Sequence, residues 1–254
     1  MDEIKEIFPE RAVVLKDFST FHIGGVAEYF IEVFSKEEIR NAIQWARSQG
    51  QVWRVIGSGS NILFADEKIS GLTIKNTIGG VHHDLRTNGG VCVTAGAGVL
   101  LDELVSYACD HGWWGIENLS AIPGTVGATP VQNVGAYGIE VAQRIESISV
   151  YDTVTDAYKT LPPEESGFGY RDSLFKREPG RYIILSVSFV VSSQHSPQLE
   201  YRDLKEYFKE SDSATLTPLK VRSAVMHIRS KKFPDWKKIG TLGSFFKNPI
   251  ISRS

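Results

Sequence analysis

The sequence has little cysteine, no long apolar run and no excess of either charge. Its 254 residues contain only Cys92 and Cys109. Neither stands at the spacing of a metal or redox motif, so both are expected to be reduced core residues. No stretch approaches the ~20 apolar residues that span a bilayer, and the acidic start MDEIKEIFPE does not read as a secretory leader. A cytoplasmic location without membrane contact is the default expectation. A formal net charge of −2 lacks the basic excess that non-specific nucleic-acid binding needs, so no nucleic-acid partner is expected. A local basic pocket for an anionic ligand stays compatible with that balance. His22, His82, His83, His111, His195 and His227 show no zinc-site spacing with Cys, His or Glu, so no metal is expected. The G-x-S-x-G turn of a serine hydrolase is missing as well.

What is present is ordinary globular material, 42% hydrophobic and 23% charged, with room for roughly two domains at about 150 residues each. Strands are expected over 27–34, 52–56, 71–75, 91–95 and 181–191, and a hairpin over 144–160. Ser35 with Glu38 forms a capping box that opens a helix. Ile39, Ile43 and Ala46 give that helix an apolar face, and Gly50 ends it. Residues 99–111 read as a second helix with Leu101, Leu104, Val105 and Ala108 on one side. Thr217 and Pro218 start a third, running to about Lys231, with Val221, Val225 and Ile228 on one face. The rich supply of Gly and Pro over 113–140 predicts a long structured loop rather than a helix. The fold class is α+β or mixed α/β, with a soft boundary near 192–200.

Four segments carry possible chemistry. Gly57-Ser58-Gly59-Ser60-Asn61 follows a strand and reads equally as a tight turn or as an anion cradle of backbone amides. It has neither the Lys of a P-loop nor the third Gly of the Rossmann fingerprint. IPGTVGATPVQNVGAYG at 122–138 is small enough to lie along a flat ring, with Gln132 and Asn133 as ring hydrogen-bonders. A glycine-rich packing loop is the alternative. In GYRDS at 169–173, Arg171 is either a carboxylate clamp or half of a surface Arg–Asp pair. In GSFFKNP at 243–249, Ser244 either presents a hydroxyl in a dry pocket or sits in a hairpin turn with buried Phe residues.

The order of these segments is more telling than any one of them. STFHIGG at 19–25, IGSGSNILF at 56–64, IPGTVGATPVQNVGAYG, FGYRDSLFK at 168–176 and GSFFKNP together resemble the UDP-N-acetylmuramate dehydrogenase family over about residues 19–250. LEYRDL at 199–204 resembles the family's longer subtype, which carries a mobile Tyr loop. The resemblance implies an FAD-binding fold of the vanillyl-alcohol-oxidase (PCMH) type over 19–195, in two subdomains of about 19–76 and 77–195. A linker and the beginning of an incomplete substrate-binding domain follow over 196–254. It implies a non-covalent FAD, NADPH as hydride donor and UDP-N-acetylglucosamine enolpyruvate as substrate, handled by a monomer in peptidoglycan precursor synthesis.

Carried onto this sequence, Gly57, Ser58, Gly59, Ser60 and Asn61 hold the FAD pyrophosphate. Ile122, Pro123, Gly124, Gly127, Gln132, Asn133, Gly135, Ala136 and Tyr137 line the flavin. Arg171 binds the substrate carboxylate and stabilises the enolate-like charge, and Ser244 donates a proton. Tyr170, Tyr201, Arg229, Lys232 and Asn248 contact the substrate, with Lys232 suited to diphosphate. His22 stands where the family commonly has Gly, and Ala128-Thr129-Pro130 departs from its usual small-residue pairing. The family also runs well past GSFFKNP and carries a catalytic Glu near its end. The expectation is therefore a chain cut short at Ser254, with no residue in that role. Two other readings follow: an FAD-binding module that turns over poorly, or a different flavin oxidase on the same fold.

Overall fold

The computed structural model describes residues 7–249. Residues 1–6 and 250–254 lie outside the description, and with them the reading of the N-terminus and the expected early stop at Ser254. The first sheet holds β1 (Glu10–Val14), β2 (Val26–Val33), β3 (Trp53–Ile56) and β4 (Ile69–Asn76) in the order β1-β2-β4-β3. β1 pairs antiparallel with β2, whereas β2 and β3 both run parallel to β4. Helix α1 (Lys36–Ser48) links β2 to β3. Ser35 Oγ accepts from the Glu38 amide at 3.1 Å, and the Glu38 carboxylate accepts from the Phe34 amide at 2.7 Å, so the box closes one residue earlier than a strict N-cap pair. Ile39, Ala42, Ile43 and Ala46 are fully buried against Val33, Leu72 and Ile74. Burying each isoleucine contributes about 1.5–3 kcal/mol before entropy is set against it.

The second sheet contains β5 (Val81–Leu85) and β6 (Gly90–Gly96). The chain then forms α2 (Leu101–Asp110) and a long loop broken only by 3₁₀ turns and a two-residue hairpin, β7 (Gly135–Ala136) with β8 (Ile139–Glu140). It returns to the sheet as β9 (Ile145–Asp152) and β10 (Ala157–Leu161) and, after the short α3 (Leu174–Arg177), as β11 (Tyr182–Ser192). The order is β10-β9-β11-β6-β5, antiparallel throughout. Tyr151, Ile183 and Leu185 of this sheet share a buried cluster with α1, which packs the two sheets together.

The two cysteines divide. Cys109 is buried in the main core, and burial, with the nearby Glu117 carboxylate, pushes its thiol up to about 12. Cys92 is not a core residue, which corrects the sequence reading. On β6, Val91, Val93 and Ala95 take the buried face, and the two-residue period of a strand turns Cys92 to the other, half-buried face.

Past β11 the chain forms α4 (Arg202–Tyr207) and α5 (Pro218–Lys232). Thr217 caps α5 by accepting from the Lys220 amide at 3.2 Å, and Pro218 fills the first helical position. Val221, Ala224 and Val225 are buried, packing with Trp114, Tyr137, Leu204 and Leu216, and Ile228 is half-buried beside them. Residues 234–249 form no helix or strand and run back to Thr20–His22. There the Thr241 amide donates to Thr20 O at 3.0 Å, Thr20 Oγ1 to Thr241 O at 2.7 Å, and His22 Nε2 lies 2.9 Å from Trp236 O. Among the described residues, no helix is long and apolar enough to cross a membrane.

Candidate cofactor and substrate site

A cavity of about 1130 Å³ opens where the first sheet, the loop after α2, α5 and the 241–245 segment converge. It exceeds the ~300–1000 Å³ typical of small-molecule pockets. One wall is the 57–61 loop at the end of β3. A Cβ on Gly57 would strike the Thr125 side chain, and one on Gly59, whose φ is +65°, would strike the Phe18 carbonyl. Close chain crossing thus requires both glycines. Ser60 Oγ donates to Pro123 O at 3.1 Å, and Asn61 Nδ2 donates to Leu242 O at 2.7 Å. Ser58 Oγ is buried in the same wall without a protein partner. A buried hydroxyl left unpaired costs about 1–3 kcal/mol, so this one calls for a polar ligand.

The second wall is 121–136. The Gly127 amide donates to Ala97 O at 2.9 Å, and a Cβ there would sit 2.6 Å from Ala97 Cβ. Ile122, Pro123, Gly124, Gln132, Gly135 and Ala136 also face the cavity. Two of the expected flavin contacts do not. The Asn133 side chain is 2% exposed, and its amide is fully used: Nδ2 donates to Glu140 at 2.8 Å and to Gly169 O at 3.0 Å, while Oδ1 accepts from the Ala142 amide at 3.1 Å. It holds the wall's shape and has no N–H left for a ring heteroatom. Tyr137 lies outside the cavity in the α4–α5 core, its ring edge-on to Tyr201 at 5.2 Å.

Arg171 faces the cavity from a left-handed backbone position, φ +53°. Its Nη1 donates to Asn133 O at 3.2 Å and its Nη2 to Gly135 O at 3.1 Å, which aims the guanidinium along the second wall. Asp172 pairs instead with Arg177 at 2.5 Å, because the tight 169–172 turn sends neighbouring side chains apart. The surface Arg171–Asp172 pair is therefore not formed. Arg54, Lys176 and Arg229 also line the cavity against a single lining carboxylate, Asp235, so the lining is cationic. Arg229 donates to Ala121 O at 3.2 Å and stacks over Phe233; burial presses its pKa down, though a guanidinium stays charged.

Ser244 reaches the cavity mouth, but neither reading of its surroundings holds. Ser244 is exposed, Phe245 is 41% and Phe246 87% exposed, and among the described residues no helix or strand covers them. Asn61 Nδ2 steadies the segment by donating also to Ser244 O at 3.4 Å. Tyr170, Tyr201, Lys232 and Asn248 stand outside the cavity wall. Lys232 is engaged by the Asp203 carboxylate, which raises its pKa. Wall residues that the sequence did not flag include Arg54, Tyr182, Met226 and Phe233. They come from strand ends and helix faces whose approach is set by tertiary packing.

The glycine crossings, the unpaired Ser58 hydroxyl and the cavity's volume fit a long anionic cofactor with a flat ring. Residues 27–157 match the family described as FAD binding domain. The arrangement thus defines an FAD-dependent protein. UDP-N-acetylenolpyruvoylglucosamine reductase of Polynucleobacter asymbioticus is 40% identical over 241 residues, which cover 95% of this chain and 69% of that protein. The crystal structure of UDP-N-acetylenolpyruvylglucosamine reductase (MurB) from Thermus caldophilus has a TM-score of 0.69 at 30% identity, over 95% of this chain and 76% of that one. A VAO-type flavoprotein from Myceliophthora thermophila C1 shares the fold alone, with a TM-score of 0.50 at 14% identity over 66% of this chain and 32% of that one. The chain belongs to the UDP-N-acetylenolpyruvoylglucosamine reductase family.

Proposed function

We propose that the chain reduces the enolpyruvyl double bond of UDP-N-acetylglucosamine enolpyruvate to the lactyl ether of UDP-N-acetylmuramate, with NADPH as reductant. The observation that carries this reading is the pairing of the glycine-walled cavity with Arg171 in its cationic lining, in a chain of this family. FAD, when bound, supplies the means of accepting a hydride from one substrate and giving it to the other. The 57–61 loop amides and Ser58 Oγ hold its diphosphate, and 122–136 lies along its ring. In this reading 19–76 and 77–195 are the two halves of the cofactor-binding unit, and 196–249 begins the substrate side.

Arg171 keeps its remaining N–H groups for a carboxylate. Its charge stabilises the negative charge that builds on the enolpyruvyl carboxylate as the alkene is reduced, an effect commonly worth about 10²–10³ in rate. The backbone carbonyls of Asn133 and Gly135 fix its direction beforehand, so little reorganisation is needed. Ser244 Oγ delivers the proton to the neighbouring carbon. A hydroxyl is a weak acid, and it can do so only toward a strongly basic carbanion-like centre. Arg229 and Lys176 add positive potential for the diphosphate and carboxylate. Lys232 joins them on exchanging Asp203 for substrate phosphate, with Tyr170, Tyr201 and Asn248 closing over the sugar nucleotide. The protein works as a cytoplasmic monomer, a setting that suits two free thiols.

A flavin oxidase acting on another alcohol is disfavoured, since likeness to such enzymes is confined to the fold. The test is direct. Heat-denatured protein should release FAD. The native flavoprotein, with NADPH and the enolpyruvyl sugar nucleotide, should give a product two hydrogens heavier. A folded chain that takes up no flavin, or a flavoprotein that consumes NADPH and leaves the alkene intact, contradicts the reading.

A further inference from the structure

Ala121 is the corner at which the chain enters the wall 122–124. Its φ is +56°, a region that residues with a Cβ avoid. Charged side chains from two helices hold both sides of this residue. From α2, Asp102 Oδ1 accepts from the Ala121 amide at 2.6 Å; from α5, Arg229 Nε donates to Ala121 O at 3.2 Å. Asp102 is itself gripped in a bidentate fork by Arg222 of α5, Nη1 to Oδ1 at 2.5 Å and Nη2 to Oδ2 at 3.0 Å. Burial alone would raise the Asp102 pKa, but the Arg222 guanidinium and the Ala121 amide outweigh it and hold the carboxyl ionised below its usual range. The start of α2 binds the same wall again, with the Leu101 amide donating to Gly124 O at 3.0 Å. Ala121, Ile122, Pro123 and Arg229 face the cavity, whereas Asp102 and Arg222 stand behind it.

We propose that Asp102, oriented by Arg222, is a positioning residue that locks the left-handed Ala121 corner and so sets where the cofactor-facing wall 122–124 stands. This rests on the reading of the cavity as the FAD site. Without the carboxylate, Ala121 relaxes toward negative φ, and the peptides that follow it turn away from the ring. The same carboxylate joins α5, on the substrate side, to the cofactor wall.

The experiment compares the wild-type flavoprotein with Asp102→Ala, Asp102→Ala/Ala121→Gly and Arg222→Lys. FAD titration of the apoprotein, the shape of the visible flavin band, the flavin reduction potential and thermal melting are recorded for each. Losing a charged acceptor should weaken FAD binding about tenfold to a hundredfold in Asp102→Ala, with an altered band or potential. Glycine takes positive φ without steric cost, so adding Ala121→Gly should recover about fivefold or more of that loss. Recovery by a change at Ala121 alone, which restores no charge or hydrogen bond, is not expected of a carboxylate that merely stabilises the fold. Wild-type affinity and band in Asp102→Ala, or a loss that Ala121→Gly leaves untouched, overturns the proposal. If Asp102→Ala does not fold, Arg222→Lys decides: it keeps the charge but loses the fork, and should show a smaller loss in the same direction. Unchanged affinity and band there also overturn the proposal. A folded wild-type protein that binds no FAD removes the cofactor reading itself, and the clamp with it.

Discussion

The two sides of the cavity are made by different means. The cofactor side is mostly backbone: Gly57, Gly59, Gly124 and Gly127 bring chain segments so close that a Cβ would crowd the segment opposite. Its shape is pinned by buried groups such as Asn133 and by sheets packed through α1. The side proposed for substrate is made of long charged side chains and the 241–249 segment, exposed from Gly243 onward and held by a few polar tethers. A wall of backbone fails through misfolding when it is altered. A wall of side chains loses chemistry while the fold survives.

That contrast predicts a graded series. The largest effect is expected for Gly59→Val, where positive φ and collision with the Phe18 carbonyl combine. A loss on the order of 3 kcal/mol or more should appear as a much lower melting temperature and no retained FAD. A stable, yellow Gly59→Val protein would break the distinction between the two sides. Next comes Arg171→Ala, expected to cut turnover by about 10²–10³ while FAD affinity stays within a few-fold. A parallel collapse of FAD binding would assign Arg171 to the cofactor side instead. Asn61→Ala removes the 2.7 Å bond to Leu242 O, worth about 1 kcal/mol. The 241–244 segment should loosen, lowering kcat/KM roughly fivefold with flavin retained, and steady-state kinetics beside flavin content would resolve it.

The effect that least touches the cavity is a pH effect on stability away from the site. Asp152 is fully buried in β9. Burial pushes its pKa up, yet the Lys159 ammonium and the amides of Val154 and Thr155 pull it down to about 2. A carboxyl depressed below its unfolded value near ~3.9 adds stability above that pH and loses it as pH falls toward 2. Asp152→Asn should therefore be less stable near neutrality and show a flatter acid dependence between about pH 4 and 2. Denaturant titrations at several pH values would check this; an unchanged acid slope would contradict it.

Backbone walls were legible in the sequence because glycine spacing is a local signal. The strand before 57–61, the loop character of 113–140, the α1 cap and the Thr217–Pro218 start of α5 all show at their own residues. β1 escaped notice because it is mostly exposed and lacks an apolar stripe, and β5 because alternation in VHHDL is masked by two histidines. The side-chain wall was only half legible. Gln132 and Asn133 look alike in sequence, but only the first faces the cavity, since the second lies at φ +45° and turns into the loop. The resemblance gives Tyr137 and Lys232 by family position, whereas their partners Tyr201, just before α4, and Asp203, within it, are placed by a docking that no local pattern announces.

The central claim is that one cavity joins a bound FAD to Arg171 and Ser244. It is tested most directly by following the flavin band anaerobically in a stopped-flow instrument. The wild-type flavoprotein should bleach on mixing with NADPH and recover its colour on a second mixing with the enolpyruvyl sugar nucleotide. Arg171→Ala and Ser244→Ala should bleach at the wild-type rate but recover at least about a hundredfold more slowly. Recovery at the wild-type rate in both variants would contradict the account.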